Sequence, residues 1–415
     1  MERVELARQL GGTSRAIGTR AVVVEERDPA RFMARFSEAV AAGGMVFVAD
    51  PAWGAAEQEQ FAAVTIAKRP ARAAEAPADT GWLCLPTGGS SGRLRLARHD
   101  QQTLSAAVRG CSQHFRTKRI NAVGVLPLHH VSGLMAWLRC ALTGGRYVPW
   151  NWPDLEAGRW PEAARGDWFL SLVPTQLQRL LEQRGVAERL RRFRAVLLGS
   201  GPAWPELLAR AADMRLPLAP GYGMTETAAM ITALRPEEFL AGRRGCGSTL
   251  PHGRVTVAAE GVIEIAGESL FRGYYPDWRA AGPWATDDLG RFDEHGGLHW
   301  LGRRDATIIT GGEKVEPGEV EAVLRATGQF SDVAVVGLPY VEWGECVTAV
   351  YPTGRKPPDM EAVARFLAGR LAPHKRPKHY LRLAHWPRND QGKLSRRELL
   401  ALALEITGGI RRNDP

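Results

Sequence analysis

The chain has 415 residues and a mass of 45.4 kDa, which is too long for one typical domain and predicts a large domain with a smaller one. Hydrophobic residues make up 45% and charged residues 24% of it, a balance that excludes a largely disordered protein. The formal net charge is +9, but arginines are spread along the chain without a basic block. This argues against nucleic-acid binding and leaves room for a small polyanionic ligand.

Cysteine usage indicates neither a zinc site nor a disulfide framework, and it fits a reducing cytoplasm. The cysteines are scattered without CxxC spacing: Cys84, Cys111, Cys140, Cys246 and Cys346. The most apolar stretch, residues 123–142, is interrupted by His129, His130 and Arg139. We therefore expect no membrane span.

The first two hundred residues alternate short apolar runs with helical patterns. The runs that predict strands are residues 21–24, 45–49, 82–85, 122–126, 168–172 and 195–198. Turn residues and then helix-like segments follow the later runs. This alternation of strands and helices predicts an α/β fold of layered sheets.

The pattern changes twice further along. Residues 253–300 alternate short strands with turns and predict a β-rich subdomain. After residue 305, strands at 307–310, 333–336 and 347–351 and helices from Pro317 and from about Pro358 predict an α+β unit. We expect a large N-terminal domain over residues 1–304 and a small C-terminal domain over residues 305–415.

A glycine- and serine-rich loop follows the predicted strand at 82–85. It consists of Thr87, Gly88, Gly89, Ser90, Ser91 and Gly92. Such a loop presents backbone N–H groups and hydroxyls to phosphate, and Arg95 adds positive charge. The spacing is not that of a Walker A loop, which excludes a P-loop NTPase. Taken alone, a turn of this composition is more often structural.

Together with later segments, this loop resembles the phosphate-binding motif of the adenylate-forming superfamily, which includes acyl-CoA synthetases, nonribosomal peptide adenylation domains and beetle luciferases. The family pattern is similar to Thr-Ser-Gly-Ser/Thr-Thr-Gly-x-Pro-Lys-Gly. Arg95 stands where that pattern has lysine, and Leu94 replaces its proline. The resemblance implies that Arg95 contacts phosphate.

A second segment, Gly221-Tyr222-Gly223-Met224-Thr225-Glu226-Thr227, resembles the family's Tyr-Gly-x-Thr-Glu motif. The resemblance implies that Tyr222 stacks on adenine, that Thr225 donates to the α-phosphate and that Glu226 holds a magnesium ion. Upstream, Ser200, Gly201 and Pro202 resemble the loop that lies against the adenine. Outside this context, Glu226 would be an ordinary surface carboxylate.

A third segment, Thr286-Asp287-Asp288-Leu289-Gly290, is similar to the family's Thr-Gly-Asp-Leu-Gly, with Asp287 in place of the glycine. By resemblance, Asp288 accepts hydrogen bonds from the ribose hydroxyls and Arg303 supplies positive charge. A simple ion pair between Asp288 and Arg303 is the alternative.

The C-terminal domain carries two further matches. Residues 387–394 resemble the loop of the superfamily's adenylation lysine, which implies that Lys393 offsets charge between the carboxylate and the α-phosphate. Residues 310–321 resemble the segment that lines the thiol channel after this domain rotates about a hinge at Asp305. The resemblance therefore implies a mobile lid.

Two stretches bear on the acid. Residues 126–134 and 171–177 resemble most the acyl-pocket segments of the 2-succinylbenzoate:CoA ligases of menaquinone and phylloquinone synthesis. This implies that His130 contacts or gates the acid, whereas a lone histidine is otherwise more often a hydrogen-bonded core residue. An acid with a ring and a second carboxylate needs a basic or hydroxyl donor within apolar walls.

The resemblance thus implies an ATP-dependent, AMP-forming acid:CoA ligase that uses Mg²⁺, with a carboxylic acid, ATP and CoA as its small-molecule partners. Several alternatives stay open: another aryl or medium-chain acid, a carrier-protein thiol in place of CoA, and a nucleotide-binding regulatory protein without turnover. The altered residues Arg95 and Asp287 are the support for the last of these. Whether the protein is a monomer or a homodimer stays open.

Overall fold

The computed structural model describes residues 2–11, 21–66, 81–87, 94–162, 166–201, 203–354, 356–388 and 394–407, with the side chains of Ala56, Asp305 and Arg397 excepted. The predicted residues Gly88, Gly89, Ser90, Ser91, Gly92, Pro202 and Lys393 lie outside these ranges.

The chain begins with a small mixed sheet, the N-terminal sheet. Its strands and associated helices are α1 (Arg3–Gln9), β1 (Val22–Val24), α2 (Pro29–Ala41), β2 (Val46–Val48), α3 (Ala55–Ile66), β3 (Leu83–Thr87) and β4 (Arg95–His99). The order is β1-β2-β3-β4, and only β4 runs antiparallel to its neighbour among these described strands. Helix α2 begins at Pro29 because the Asp28 carboxylate accepts from the Arg31 backbone N–H at 2.8 Å.

A larger central sheet follows. Its strands are β5 (Asn121–Gly124), β6 (Tyr147–Pro149), β7 (Gly166–Leu172), β8 (Phe193–Leu198), β9 (Leu218–Met224), β10 (Ala229–Ala233) and β11 (Ser248–Thr249). The helices are α4 (Gln101–His114), α5 (Val131–Leu142), α6 (Trp152–Glu156), α7 (Pro174–Leu181), α8 (Val186–Leu190), α9 (Pro205–Asp213) and α10 (Pro236–Leu240). The strand order is β11-β10-β9-β8-β7-β5-β6, parallel from β6 to β9.

Both faces of the central sheet are covered. The consecutive residues Phe169 and Leu170 point to opposite faces, and both are buried, in two different hydrophobic clusters. This double burial is typical of parallel strands between helical layers. The parallel strands all end at one edge, from which the loop after β8 and the short 3₁₀ turn Thr225–Thr227 after β9 emerge.

A fully antiparallel sheet comes next in the chain. It consists of β12 (Gly253–Val257), β13 (Val262–Gly267), β14 (Trp284–Phe292) and β15 (Leu298–Arg303), in that order. Its inner residues Ile263, Ile265 and Leu298 pack with Tyr222 of the central sheet. The predicted β-rich subdomain at 253–300 is therefore confirmed.

The C-terminal part forms its own α+β core. Its elements are β16 (Ile308–Thr310), β17 (Glu313–Val315), α11 (Pro317–Ala326), β18 (Ala334–Tyr340), β19 (Gly344–Pro352), α12 (Met360–Ala368), β20 (His379–Leu383) and α13 (Arg396–Thr407). The strand order in the sheet is β17-β16-β19-β18, and β20 pairs with β19 in the parallel direction. The guanidinium of Arg325 on α11 lies 5.3 Å from the ring centroid of Trp204, which joins this part to the large one.

The α/β class with a large N-terminal part and a smaller C-terminal part is confirmed. Helix α12 begins at Met360, two residues after the predicted start at about Pro358, because the Asp359 side chain accepts from the Ala362 N–H at 3.0 Å and so caps the helix. None of the helices in the described ranges combines the length and the apolarity that a bilayer crossing demands.

Candidate active site

The two ends of the predicted phosphate loop lie side by side. Thr87 ends β3 and pairs with Arg95 at the start of β4. The Thr87 hydroxyl and Arg95 Nε are buried, and neither has a hydrogen-bond partner among the residues that the structure describes. Buried polar groups normally have partners, so two adjacent donors of this kind suit an anionic ligand.

The Tyr-Gly segment lies on β9, where glycine is required by close backbone contact. A Cβ at Gly223 would fall 2.0 Å from the Ala229 carbonyl oxygen, and one at Gly221 would fall 2.7 Å from the Thr232 carbonyl oxygen. Between them Tyr222 is buried, and its phenol donates a hydrogen bond of 2.8 Å to Asp288 Oδ2. Burial raises the pKa of the Tyr222 phenol.

Glu226 is a buried carboxylate in the turn that follows β9. Its Oε1 accepts a hydrogen bond of 2.7 Å from the Tyr274 phenol. Burial raises the pKa of Glu226, while the Tyr274 hydrogen bond and the charges of Arg95 and Arg303 act in the opposite direction. The Arg95 guanidinium lies 4.5 Å from the Tyr274 ring centroid, so this tyrosine links the phosphate loop to Glu226.

His99 holds the backbone of the same turn. Its Nε2 lies 2.8 Å from the Thr225 carbonyl oxygen, and its Nδ1 lies 3.0 Å from the Thr103 hydroxyl. Burial lowers the pKa of His99 to about 4, so the ring is neutral at pH 7. Because a carbonyl only accepts, Nε2 carries the proton and Nδ1 accepts from Thr103. His99 and Tyr274 lie outside the motifs, and no local pattern in the sequence marks either of them.

Asp288 and Arg303 are cross-strand partners of β14 and β15. Arg303 approaches Asp288 at 3.9 Å and Asp287 at 3.7 Å, and Arg304 approaches Asp287 at 3.1 Å. Asp287 lies in the strand with an ordinary negative φ, so its replacement of the family's glycine creates no backbone strain. Asp288 is buried and already bonded to Tyr222, which makes it more than a surface ion-pair partner.

The loop after β8 lies beside the Tyr-Gly strand. Ser200 adopts a left-handed conformation with φ of 62°, and Gly201 follows it. A Cβ on Gly199 would contact the Gly221 carbonyl oxygen at 3.8 Å. The described parts of the phosphate loop, the Ser200 loop, the Glu226 turn and Asp288 are therefore linked by neighbouring contacts.

His130 forms the N-cap of α5, and its side chain faces Asp50, which follows β2. His130 Nε2 lies 3.9 Å from Asp50 Oδ2, and His129 Nε2 lies 3.3 Å from Asp50 Oδ1. The side chain of His130 is 24% exposed, whereas that of His129 is 6% exposed. His130 is thus accessible at the helix start.

Arg139 is the buried arginine within the apolar stretch at residues 123–142. It lies in the last turn of α5 and is 4% exposed. Among the described residues no carboxylate forms an ion pair with it, and its Nε has no hydrogen-bond partner. With Ser171 it lines a narrow cavity of about 10 Å³, room for about one water molecule, whose apolar walls come from Ala122, Phe169 and Leu197.

The lining of this cavity combines a guanidinium and a hydroxyl with apolar side chains. Ser171 lies one residue from the end of β7, and Leu197 lies one residue from the end of β8. The cavity therefore starts near the edge where the motif loops gather and has a guanidinium on its wall. The signal in the sequence was the arginine that interrupts the apolar stretch at 123–142.

The fold and the site together define a protein of the adenylate-forming class. The defining features are layered sheets, a separate antiparallel sheet, a small C-terminal α+β unit and motif residues gathered at the strand ends. A family model described as AMP-binding enzyme matches residues 7–275, and one described as AMP-binding enzyme C-terminal domain matches residues 319–393. The chain belongs to the AMP-binding enzyme family.

Two curated relatives are named 2-succinylbenzoate–CoA ligase. The one from Geobacillus kaustophilus is 35% identical over 298 residues, which are 68% of this chain and 60% of the relative. The one from Bacillus licheniformis is 32% identical over 342 residues, which are 77% of this chain and 70% of the relative. The matched part thus spans 60% of the first relative's length.

Solved structures confirm the fold. The o-succinylbenzoate CoA synthetase from Bacillus subtilis, in complex with its acyl-adenylate intermediate, has a TM-score of 0.78 and 23% identity over 96% of this chain and 91% of that chain. ATP-bound MatB from Rhodopseudomonas palustris also has a TM-score of 0.78, with 24% identity over 97% and 92% of the two chains.

Proposed function

We propose that this protein is an AMP-forming acid:CoA ligase whose acid carries a second carboxylate, with 2-succinylbenzoate as the substrate. The observation that carries the choice of acid is the buried Arg139 guanidinium beside Ser171. Among the described residues no carboxylate pairs with this guanidinium, and the desolvation of one unpaired ion costs on the order of several kcal/mol. The cavity has room for about one water molecule, so its walls must move apart on binding. A carboxylate that then enters would offset this desolvation cost and accept the charge-assisted hydrogen bonds that Arg139 offers.

The relatives named 2-succinylbenzoate–CoA ligase support the same acid. One of its carboxylates would face the nucleotide, and the other would reach Arg139. His130 and Arg139 lie at opposite ends of α5, nine residues or about 14 Å apart along the helix. His130 would contact the acid near the nucleotide, so the acid would extend along this helix.

The nucleotide would lie across the linked motifs. Thr87, Arg95 and residues 88–92 would bind the phosphates, Asp288 with Arg303 the ribose, and the Ser200 loop with Tyr222 the adenine. Pro202 would belong to the same adenine loop. The unsatisfied Thr87 hydroxyl and Arg95 Nε support the phosphate assignment, because triphosphate oxygens accept from both.

Glu226 fits the requirements of a magnesium site. It supplies a carboxylate, the hard oxygen ligand that Mg²⁺ prefers, and Tyr274 fixes its Oε1. A structural neighbour from Bacillus subtilis was solved with ATP and a magnesium ion. When bound, the ion would neutralise phosphate charge, and Glu226 would hold it beside the Thr225 turn.

The reaction would proceed in two halves. In the first, a carboxylate oxygen of the acid attacks the α-phosphorus of ATP and the bond to pyrophosphate breaks, with Lys393 and Thr225 donating to the charged oxygens. In the second, the small domain turns about Asp305, and the CoA thiol attacks the acyl carbon while AMP leaves. The thiol proton passes to solvent.

We also propose a cytoplasmic location. All five cysteines are free in the described residues, and four of them are buried. Unpaired buried thiols are typical of proteins from a reducing compartment.

An acid panel tests this proposal. The purified protein is incubated with ATP, Mg²⁺, CoA and one acid at a time: 2-succinylbenzoate, its analogue without the ring carboxylate, an unsubstituted aryl acid and a medium-chain acid. We expect a CoA thioester by mass and AMP release, with kcat/KM for the diacid about 10² above that for the analogue. Equal or faster turnover of the monoacids would refute the choice of acid.

Two other outcomes would distinguish the alternative functions. Acid-dependent pyrophosphate release without a CoA thioester would point to a carrier-protein thiol. ATP binding without pyrophosphate release for any acid would point to a regulatory protein of the same fold.

A further inference from the structure

A second group of potential ligands lies beside α5. Asp50, His129 and His130 each offer one ligand atom, and these atoms all lie within 4.8 Å of one another. Within the described ranges no other set of three histidine, cysteine or carboxylate groups converges in this way. Asp50 follows β2, while the two histidines immediately precede α5, so two separate parts of the fold form the cluster.

We propose that Asp50, His129 and His130 form a binding site for a divalent transition-metal ion of the zinc class, distinct from the nucleotide-associated Mg²⁺. Two imidazoles and a carboxylate are a ligand set that zinc accepts. With bonds of about 2.0–2.1 Å, tetrahedral ligand atoms lie about 3.3–3.4 Å apart. His129 Nε2 lies 3.3 Å from Asp50 Oδ1, and His130 Nε2 lies 3.9 Å from Asp50 Oδ2. With one ligand atom from each residue, all three atoms lie within 4.8 Å of one another, so the side chains must move closer to surround one ion.

The geometry favours a cation at this place. The two imidazole rings have their centroids 4.5 Å apart, so one ion can reach both. A divalent cation of the zinc class binds neutral imidazole nitrogens together with a carboxylate oxygen.

The surroundings give the cluster rigidity and access. Asp50 Oδ1 accepts a hydrogen bond of 2.8 Å from the Ala52 N–H, which orients the carboxylate in the way that outer hydrogen bonds orient metal ligands. His129 is buried at 6% side-chain exposure, whereas His130 at 24% leaves one side open. Three protein ligands with an open position leave room for a water molecule.

Metal titration tests the proposal without any turnover. Chelator-treated protein is titrated with ZnCl₂ by calorimetry, and Co²⁺ is used as a second probe because its visible absorption reports tetrahedral coordination. We expect one zinc per chain. Asp50→Asn and His129→Gln should each weaken binding at least about tenfold, as the loss of a ligand requires.

His299→Asn is the matched control. His299 Nε2 lies 3.2 Å from Asp293 Oδ2, so the pair has the same atoms and separation but lacks a second imidazole. Its loss should leave zinc binding unchanged, and circular dichroism checks that all three variants fold. Absence of stoichiometric zinc binding, or equal binding by wild type and both cluster variants, overturns the proposal. Because ATP and acid are absent, the result is independent of the ligase assignment.

Discussion

The Tyr222 phenol donates a hydrogen bond of 2.8 Å to the Asp288 carboxylate and so joins the Tyr-Gly strand of the central sheet to the antiparallel sheet. Sixty-six positions separate the two residues in the chain. The contact places the proposed adenine-side and ribose-side groups next to each other, and both side chains are buried. This hydrogen bond therefore holds residues from two of the sequence motifs next to each other.

Tyr222→Phe tests the energetic role of this contact. A buried hydrogen bond to a charged acceptor contributes about 1.5–3 kcal/mol, so the free energy of unfolding should fall by about that amount in urea titrations. The KM for ATP should rise because Asp288 loses its fixed orientation, while the ring remains to stack. Tyr340→Phe, whose ring stacks on Trp343, is the control and should change neither value. Unchanged stability of Tyr222→Phe would contradict the assigned role.

Arg139→Met tests the acid pocket. The change keeps a long apolar side chain and removes the charge, so kcat/KM for 2-succinylbenzoate should fall about 10² or more, while the analogue without the ring carboxylate should lose little. Stability of the ligand-free protein should be unchanged or higher, because an uncompensated buried charge is removed. Arg159→Met removes an exposed charge paired with Asp154 and should be neutral. Equal losses for both acids would show that Arg139 acts on structure and not on the second carboxylate.

Lys393→Ala should separate the two half-reactions. If Lys393 contacts the charged transition state as proposed, its loss should slow adenylate formation by about 10² or more, whereas thioester formation from preformed acyl-adenylate should largely survive. Rapid-quench measurements of each half supply the test, with Lys356→Ala on the same small domain as the control. An equal decrease in both halves would refute domain alternation.

Tyr274→Phe should move the acidic limb of the adenylation pH profile. In the proposed role, Glu226 would bind Mg²⁺ as a carboxylate, so activity should fall as the pH drops through the pKa of Glu226. Burial raises this pKa, and the Tyr274 hydrogen bond lowers it. Removal of the phenol therefore raises the pKa further and shifts the limb to higher pH, while the rate on the alkaline plateau should be retained because phenylalanine still packs against Arg95. A shift to lower pH, or none, would contradict this account of Glu226.

Sequence patterns predicted the architecture well, because strand and helix periodicity and turn residues are local properties. The strands at Leu83–Thr87 and Phe193–Leu198 and the helix from Pro317 illustrate this. The resemblance also named Glu226 and Asp288, since those residues lie in short continuous motifs. The boundary between the domains at residues 304 and 305, and the roles of the site residues, stay predictions.

The remaining features depend on contacts between distant parts of the chain. Arg139 was visible as an interruption of an apolar stretch, but the missing hydrogen-bond partner of its Nε among the described residues depends on which side chains surround it in the fold. Tyr274 acts through Glu226, 48 positions away, and Asp50 meets His129 across 79 positions. No local pattern encodes such pairings.

The most direct test of the central claim is the exchange of labelled pyrophosphate into ATP in the absence of CoA. If the motifs bind one nucleotide and activate an acid, exchange should require Mg²⁺ and 2-succinylbenzoate together and should stop when either is omitted. ATP binding without exchange, in the presence of 2-succinylbenzoate and every other acid tested, would contradict the account.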